Sequence, residues 1–169
     1  MLKMTINDWK QRIDRQFEAG LYKKVLISSN RDTHEITNFE YCLVPEEIKE
    51  YVDAPVPEEK IERHYILSRS NSRLIHLRDD INSRQAAFVN DYDNEDNHCI
   101  SYFHHYVRDK KYCMNVYVRS MDYKRNFEYD CQTFNLAYKQ VFDNLKTKYG
   151  VNVEEGYIRV FVFSLHIYL

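Results

Sequence analysis

The stretch from Cys99 to Ser120 most restricts what this chain can fold into. Cys99–Val107 reads as one strand. From Tyr112 to Ser120, Tyr112, Met114, Val116 and Val118 alternate with Cys113, Asn115, Tyr117 and Arg119. Period-two alternation of this kind marks a strand with one buried face. Between the runs, Arg108-Asp109-Lys110-Lys111 has the composition of a tight turn, so the segment is expected to be an antiparallel hairpin. Opposed residues in such a pair stand roughly 5 Å apart. Folding back at the turn therefore brings Cys99 within one position of Arg119 and Ser120.

Other elements are legible around this hairpin. Ile6, Trp9, Ile13 and Phe17 recur at helical spacing over residues 5–20, with Gly20 where a C-terminal cap belongs. Leu21–Ser28 and Ile36–Val44 read as strands. Residues 45–60 hold all three prolines and read as a solvated connection. Ile61–Ser68 suits helix or strand, and the polar residues 68–83 read as loop. Arg84–Val89 reads as a strand before the acidic run at 91–96. Phe134, Tyr138, Val141 and Leu145 make the apolar stripe of a helix over 131–149, ending at Gly150. Tyr157–Leu169 alternates throughout as a final strand. Strands and helices mixed in this order predict an α+β fold, a mixed sheet with flanking helices, in a single domain over 1–169.

Composition excludes several classes. The chain carries 24 basic against 26 acidic residues, which is not the charge of a protein held to nucleic acid by phosphate contacts. No apolar run is long enough to span a membrane, and the N-terminus lacks the apolar core of a secretion signal. A cytoplasmic setting with reduced thiols is expected. Cys42, Cys99, Cys113 and Cys131 form no CxxC pair and no zinc spacing with histidine, so no metal site is expected. Few glycines with many tyrosines, asparagines and lysines suit an AT-rich coding source, and a viral origin is expected.

Chemistry concentrates where the hairpin brings residues together. A guanidinium binds phosphate with two parallel hydrogen bonds, and a serine hydroxyl adds another. A cation beside a thiol favours the thiolate. Cys99, Arg119 and Ser120 therefore form a patch able to hold an anionic ligand and attack it. On the last strand, alternation puts Ser164, His166 and Tyr168 on one face, an unusual row of hydrogen-bonding groups.

These residues carry a resemblance. Cys99, followed twenty residues later by Arg119-Ser120-Met121-Asp122, resembles the nucleophile-to-phosphate segment of the thymidylate synthase family. The hairpin's Val107-Arg108-Asp109, the upstream Ser83-Arg84-Gln85-Ala86 and the downstream Ser164-Leu165-His166-Ile167-Tyr168 are similar to that family's motifs in the same order. The resemblance covers Ser83 to the C-terminus, about half the chain, with fainter similarity at Arg31 to Ile36 and at Glu62 to Ser68.

The resemblance implies a reduced thymidylate synthase-like fold and the family's chemistry. Cys99 would add to C6 of a pyrimidine nucleoside monophosphate, with Glu62 handling proton transfers. Arg119 and Ser120 would hold the 5′-phosphate, with Arg31 a further candidate and Arg84 reaching the site of a partner subunit in a homodimer. His166 and Tyr168 would bind the sugar, and Asp122 would order the base region. Asp130 stands eight residues after Asp122, where asparagine marks uracil and aspartate marks the deoxycytidylate hydroxymethylase branch. In the rival register Asn135 reads the base. The reaction implied is methyl or hydroxymethyl transfer to C5 from methylene-tetrahydrofolate. Tyr65 stands where the family has tryptophan. The stretch between the glutamate and Ser83 is short, and the family continues beyond its His-x-Tyr strand, so the nucleotide half of the site is expected to be retained and the folate half incomplete.

Plainer roles stand beside these. A lone cysteine is usually buried filler, the reading given to Cys42, Cys113 and Cys131. Arg119 and Asp122 suit a strand-edge ion pair, Glu62 a solvated acidic face, Arg84 a partner for the acidic run, and Asp130 the N-cap of the helix after it. His98, His104 and His105 are assigned to surface and packing, since adjacent strand residues face opposite ways. The function that competes with the enzyme is a catalytically inactive nucleotide-binding or structural descendant of the family; a third reading has a partner chain completing the folate wall.

Overall fold

The computed structural model describes residues 4–27, 31–45, 57–90 and 99–169, apart from the side chains of residues 26, 27, 31 and 57–62. The elements run α1 (Ile6–Glu18), β1 (Lys23–Ile27), β2 (Arg31–Leu43), α2 (Pro57–Ser72), α3 (Leu74–Asp79), β3 (Ala87–Val89), β4 (Ile100–Arg108), β5 (Lys111–Asp122), α4 (Phe127–Thr147) and β6 (Glu154–Tyr168). Six strands form one sheet in the order β1-β2-β6-β5-β4-β3. Only β5 and β6 are parallel among the described pairs, so the sheet is mixed, as the sequence predicts. A parallel pair needs a crossover, and α4 is that crossover.

The described helices that contact the sheet do so on one face. Trp9 of α1 packs on Phe39 and Tyr41, and its indole N–H donates to the Cys42 carbonyl at 2.8 Å. Phe134 of α4 meets Phe103 of β4 edge-on, and Tyr138 packs on Tyr112 of β5. Burying each such ring is worth about 1.5–3 kcal/mol, and these rings form the centre of the core.

The opposite face of the sheet carries no described helix. Tyr117 stacks on Phe161 there at 4.8 Å between centroids, Tyr102 lies edge-on to Tyr117, and Phe163 is 56% exposed.

The hairpin forms as expected. Arg108 pairs with Lys111, and the two turn residues Asp109 and Lys110 have φ of 51° and 62°. Two positive φ values in a two-residue turn give the twist that a hairpin needs, here without glycine.

One glycine is dictated by its neighbours. Gly156 of β6 sits where a β-carbon would collide with the Tyr112 carbonyl and the Cys113 sulfur. Its N–H donates to the Tyr138 hydroxyl at 2.8 Å, which donates to the Tyr112 carbonyl at 2.8 Å. This chain of bonds crosses the irregularity between Tyr112 and Met114 and ties α4 to both parallel strands.

Two expectations are corrected. Residues 68–79 are not a loop: α2 runs to Ser72 and α3 spans Leu74–Asp79, leaving only 80–83 as the expected turn. Ser70, Leu74 and Leu77 are buried, and Asn144 of α4 donates to Asn71 at 2.7 Å, so tertiary packing holds a polar segment helical. The last helix begins at Phe127 with Asn126 at the N-cap position, so Asp130 lies inside the first turns and is not the cap.

Candidate functional site

Parallel β5 and β6 end side by side, the position where open sheets with crossover helices tend to bind ligands. Ser120 pairs with Ser164 and Asp122 with His166. These residues share a face with Val116 and Val118, both fully buried, so they look toward the helix-covered side. The Ser120 hydroxyl and His166 Nδ1 are 3.3 Å apart, a hydrogen bond joining the two strands. His166 is buried, and its ring meets Tyr168 edge-on at 5.0 Å.

The loop after β5 is built by Asp122. Its carboxylate accepts from the backbone N–H groups of Lys124 and Arg125 at 3.1 and 3.3 Å. Its ion-pair partner is Arg125 at 3.6 Å and not Arg119, which corrects the strand-edge pair expected from sequence. Arg125 also lies over the Tyr168 ring at 6.0 Å. Beside this loop is a cleft of about 260 Å³ lined by Lys10, Asp14, Tyr123, Lys124, Arg125 and Glu128. Lys10 pairs with Glu128 across it.

Cys99 stands opposite Arg119. The Arg119 N–H donates to the Cys99 carbonyl at 2.6 Å. A bulge sets this register: Ile100 pairs with Val118, but Tyr102 pairs with Tyr117, so Ser101 is an extra residue. Without it Cys99 would oppose Ser120. The bulge has no glycine and leaves no mark in the alternation pattern, so sequence reasoning missed it. Cys99 is half-buried and packs against the core, whereas Arg119 is exposed with no side-chain partner among the described residues. Arg119 and Ser120 are adjacent and leave β5 on opposite faces. A single anion gripped by both must therefore lie at the strand's end, where described pairing with β4 stops and β5 runs on to Asp122.

The fold of a thymidylate synthase surrounds these residues. The chain is similar to the thermostable thymidylate synthase A from Bacillus subtilis, with a TM-score of 0.70 and 12% identity, covering 98% of this chain and 80% of that one. At that identity the likeness shows the fold. No family model and no curated protein matches the sequence.

The remaining candidates fall as follows. Asp130 is buried near Tyr41 and Cys131; burial first, and then the Cys131 side chain and the Asp130 charge, push the Tyr41 hydroxyl's pKa well up. Asn135, five residues further along α4, is 1% exposed, and its Oδ1 has no hydrogen-bond partner among the described residues. Arg84 is exposed in the segment before β3. Glu62 is in α2 and Arg31 opens β2, but both side chains lie outside the described residues, as does His98. No group of three His, Cys, Asp or Glu residues is arranged to hold a metal among the described residues. Cys42, Cys113 and Cys131 are buried, and burial raises the Cys42 and Cys131 pKa values, the state of inert thiols. His104 and His105 face opposite ways, with His105 buried.

Proposed function

We propose that this chain binds a pyrimidine nucleoside monophosphate at the ends of β5 and β6 and belongs chemically with C5 methyl- or hydroxymethyltransferases. The observation that carries this reading is the register of Cys99 against Arg119, beside the Ser120–His166 hydrogen bond. In this reading Arg119 and Ser120 hold the phosphate, His166 and Tyr168 the sugar, and Asp122 sets the loop that borders the base. The Cys99 thiolate adds to C6, which makes C5 nucleophilic, with Glu62 moving protons. Asp130 is proposed to read the base and Asn135 is its rival, whose unpartnered Oδ1 suits an acceptor role. A helix side chain five residues on is displaced by ~7 Å, so the two are not interchangeable.

Methylene-tetrahydrofolate is the donor implied by the resemblance. The stretch expected to wall its ring is occupied by α3, with Leu74 and Leu77 committed to the core. The described residues of that stretch do not fit the donor, and no step is assigned through it.

A second copy of this chain is proposed as the partner. The helix-free face of the sheet presents Tyr117, Phe161 and exposed Phe163, an apolar surface suited to packing sheet on sheet. Arg84 and Arg31 are kept as phosphate contacts, with Arg84 serving the partner's site.

The packing of Cys99 against the core favours one competing reading, a nucleotide binder without catalysis. One titration separates them. Incubation with 5-fluoro-dUMP or 5-fluoro-dCMP should add one nucleotide mass to the chain, with the folate mass added as well where the donor is captured at C5, and Cys99→Ala should abolish both. Thermal stabilisation by the nucleotide without an added mass supports the binder. Neither effect ends both readings.

A further inference from the structure

We propose that α2 carries a second oxyanion-binding subsite, built by Arg69 and Arg73 and separate from the Cys99–Arg119 end of β5. Arg73 N–H donates to the Arg69 carbonyl at 3.2 Å, so the two residues are one helical turn apart. That spacing puts them on one face, with β-carbons about 5–6 Å apart. Tyr65, one turn earlier, completes a ladder along the helix.

Each arginine is half-buried, and in each the Nε is shut off from solvent with no acceptor among the described residues. Arg69 is held in place by rings, over Tyr65 at 5.8 Å and over Phe88 of β3 at 5.9 Å. Ser70, fully buried between them in sequence, also has an unpartnered hydroxyl. No carboxylate pairs with either arginine among the described residues.

A shielded guanidinium N–H without an acceptor is costly, and proteins normally satisfy it. Arg63 shows the contrast on the same helix: its Nε donates to Thr133 at 3.0 Å and its plane covers Tyr129 at 4.2 Å. Arg69 has ring support, and neither Arg69 nor Arg73 has an acceptor at Nε among the described residues, an arrangement that leaves two planar forks one turn apart open to an oxyanion. The ligand class is a phosphate or carboxylate group of a small molecule. A neighbouring aromatic ring of the ligand would find Tyr65 and Phe88 beside it.

Inorganic phosphate and glutarate are the probes, and the full-length protein is titrated with each. Nε–Hε resonances of Arg69 and Arg73, assigned with single Arg→Lys variants, should shift saturably in the wild type with at least one probe. Arg69→Gln with Arg73→Gln should weaken binding at least tenfold, while Arg119→Gln should leave it unchanged. Saturation by phosphate alone or glutarate alone identifies the group. Resonances that do not move overturn the proposal, whatever the variants do. So does binding lost only in Arg119→Gln, which would assign the anion to the nucleotide site. If shifts appear only after Asp91, Asp93, Glu95 and Asp96 are changed together to amides, the chain supplies its own counter-charge and the external ligand is excluded. The fluorinated-nucleotide adduct is scored separately, so either reading can fail alone.

Discussion

Arg119 donates its backbone N–H to the Cys99 carbonyl at 2.6 Å, and the bulge at Ser101 is what puts them opposite each other. The bond uses main-chain atoms, so substituting the Arg119 side chain leaves the register intact. Arg119→Gln is expected to fold normally and to weaken nucleotide monophosphate binding by about 1.5–3 kcal/mol, the worth of a hydrogen bond to a charged group. Arg119→Lys keeps the charge but loses the fork, and should recover only part of that. Calorimetric titration with dUMP and dCMP measures both. Wild-type affinity in Arg119→Gln would remove Arg119 from the site.

Ser120 and His166 bridge the two parallel strands at the place where the proposed ligand lies. Ser120→Ala removes one hydrogen-bonding group from the phosphate and one from His166. Binding should fall by about 1 kcal/mol for a single neutral hydrogen bond, roughly fivefold. His166→Ala should cost nucleoside and nucleotide alike, because its proposed contact is to sugar. Ser120→Ala should cost the nucleotide more than the nucleoside, because only the nucleotide also loses the phosphate contact. Comparing deoxyuridine with dUMP by thermal shift separates the two.

The alternation of β5 and β6 made the parallel site strands legible, because one buried face forces period two. Ser164, His166 and Tyr168 share a face for that reason. Helix α2 was ambiguous because Ile61–Ser68 is a short apolar run that either element accommodates. The helical segment from 68 to 79 is hidden in the sequence because its helicity comes from contacts with α4, such as Asn71 with Asn144, which local composition does not encode. The Asp122–Arg125 pair was equally hidden: the loop turns back on Asp122 through backbone N–H groups, and residue spacing alone favoured Arg119.

Two positions in the scaffold invite opposite outcomes on substitution. Lys110 is exposed with φ of 62°, a conformation that costs a residue with a β-carbon roughly 1–2 kcal/mol. Its carbonyl accepts from the Glu154 N–H at 2.7 Å, a bond that glycine keeps. Lys110→Gly should therefore raise unfolding stability by about 1 kcal/mol in urea. Gly156→Ala should lower it by about 3 kcal/mol, since the added methyl meets the Tyr112 carbonyl and the Cys113 sulfur and disturbs the Tyr138 hydroxyl. Equal stability in the alanine variant would mean that β6 can move off β5 at little cost.

His105 links the core to pH. It is buried between Phe88 and Tyr112, with Nδ1 2.7 Å from the Tyr112 hydroxyl. Burial, reinforced by neighbouring His104, lowers its pKa from the ordinary value near 6.5 to about 3. The unfolded chain therefore binds a proton at pH values where the native protein does not. Stability contributed by this group is full above pH 6.5 and is lost as pH falls from there toward 3. Between pH 7 and 5 the loss is about 2 kcal/mol. His105→Phe keeps the ring stack and removes the titration, so its unfolding free energy should be flatter over that interval by about the same amount. It should also be lower at pH 7, because the Tyr112 hydroxyl loses its partner. Parallel urea melts at pH 7, 6 and 5 test this by the difference between wild type and variant. Curves of equal slope would show that native His105 accepts a proton as readily as the unfolded chain, and that its burial is not the cause of acid sensitivity.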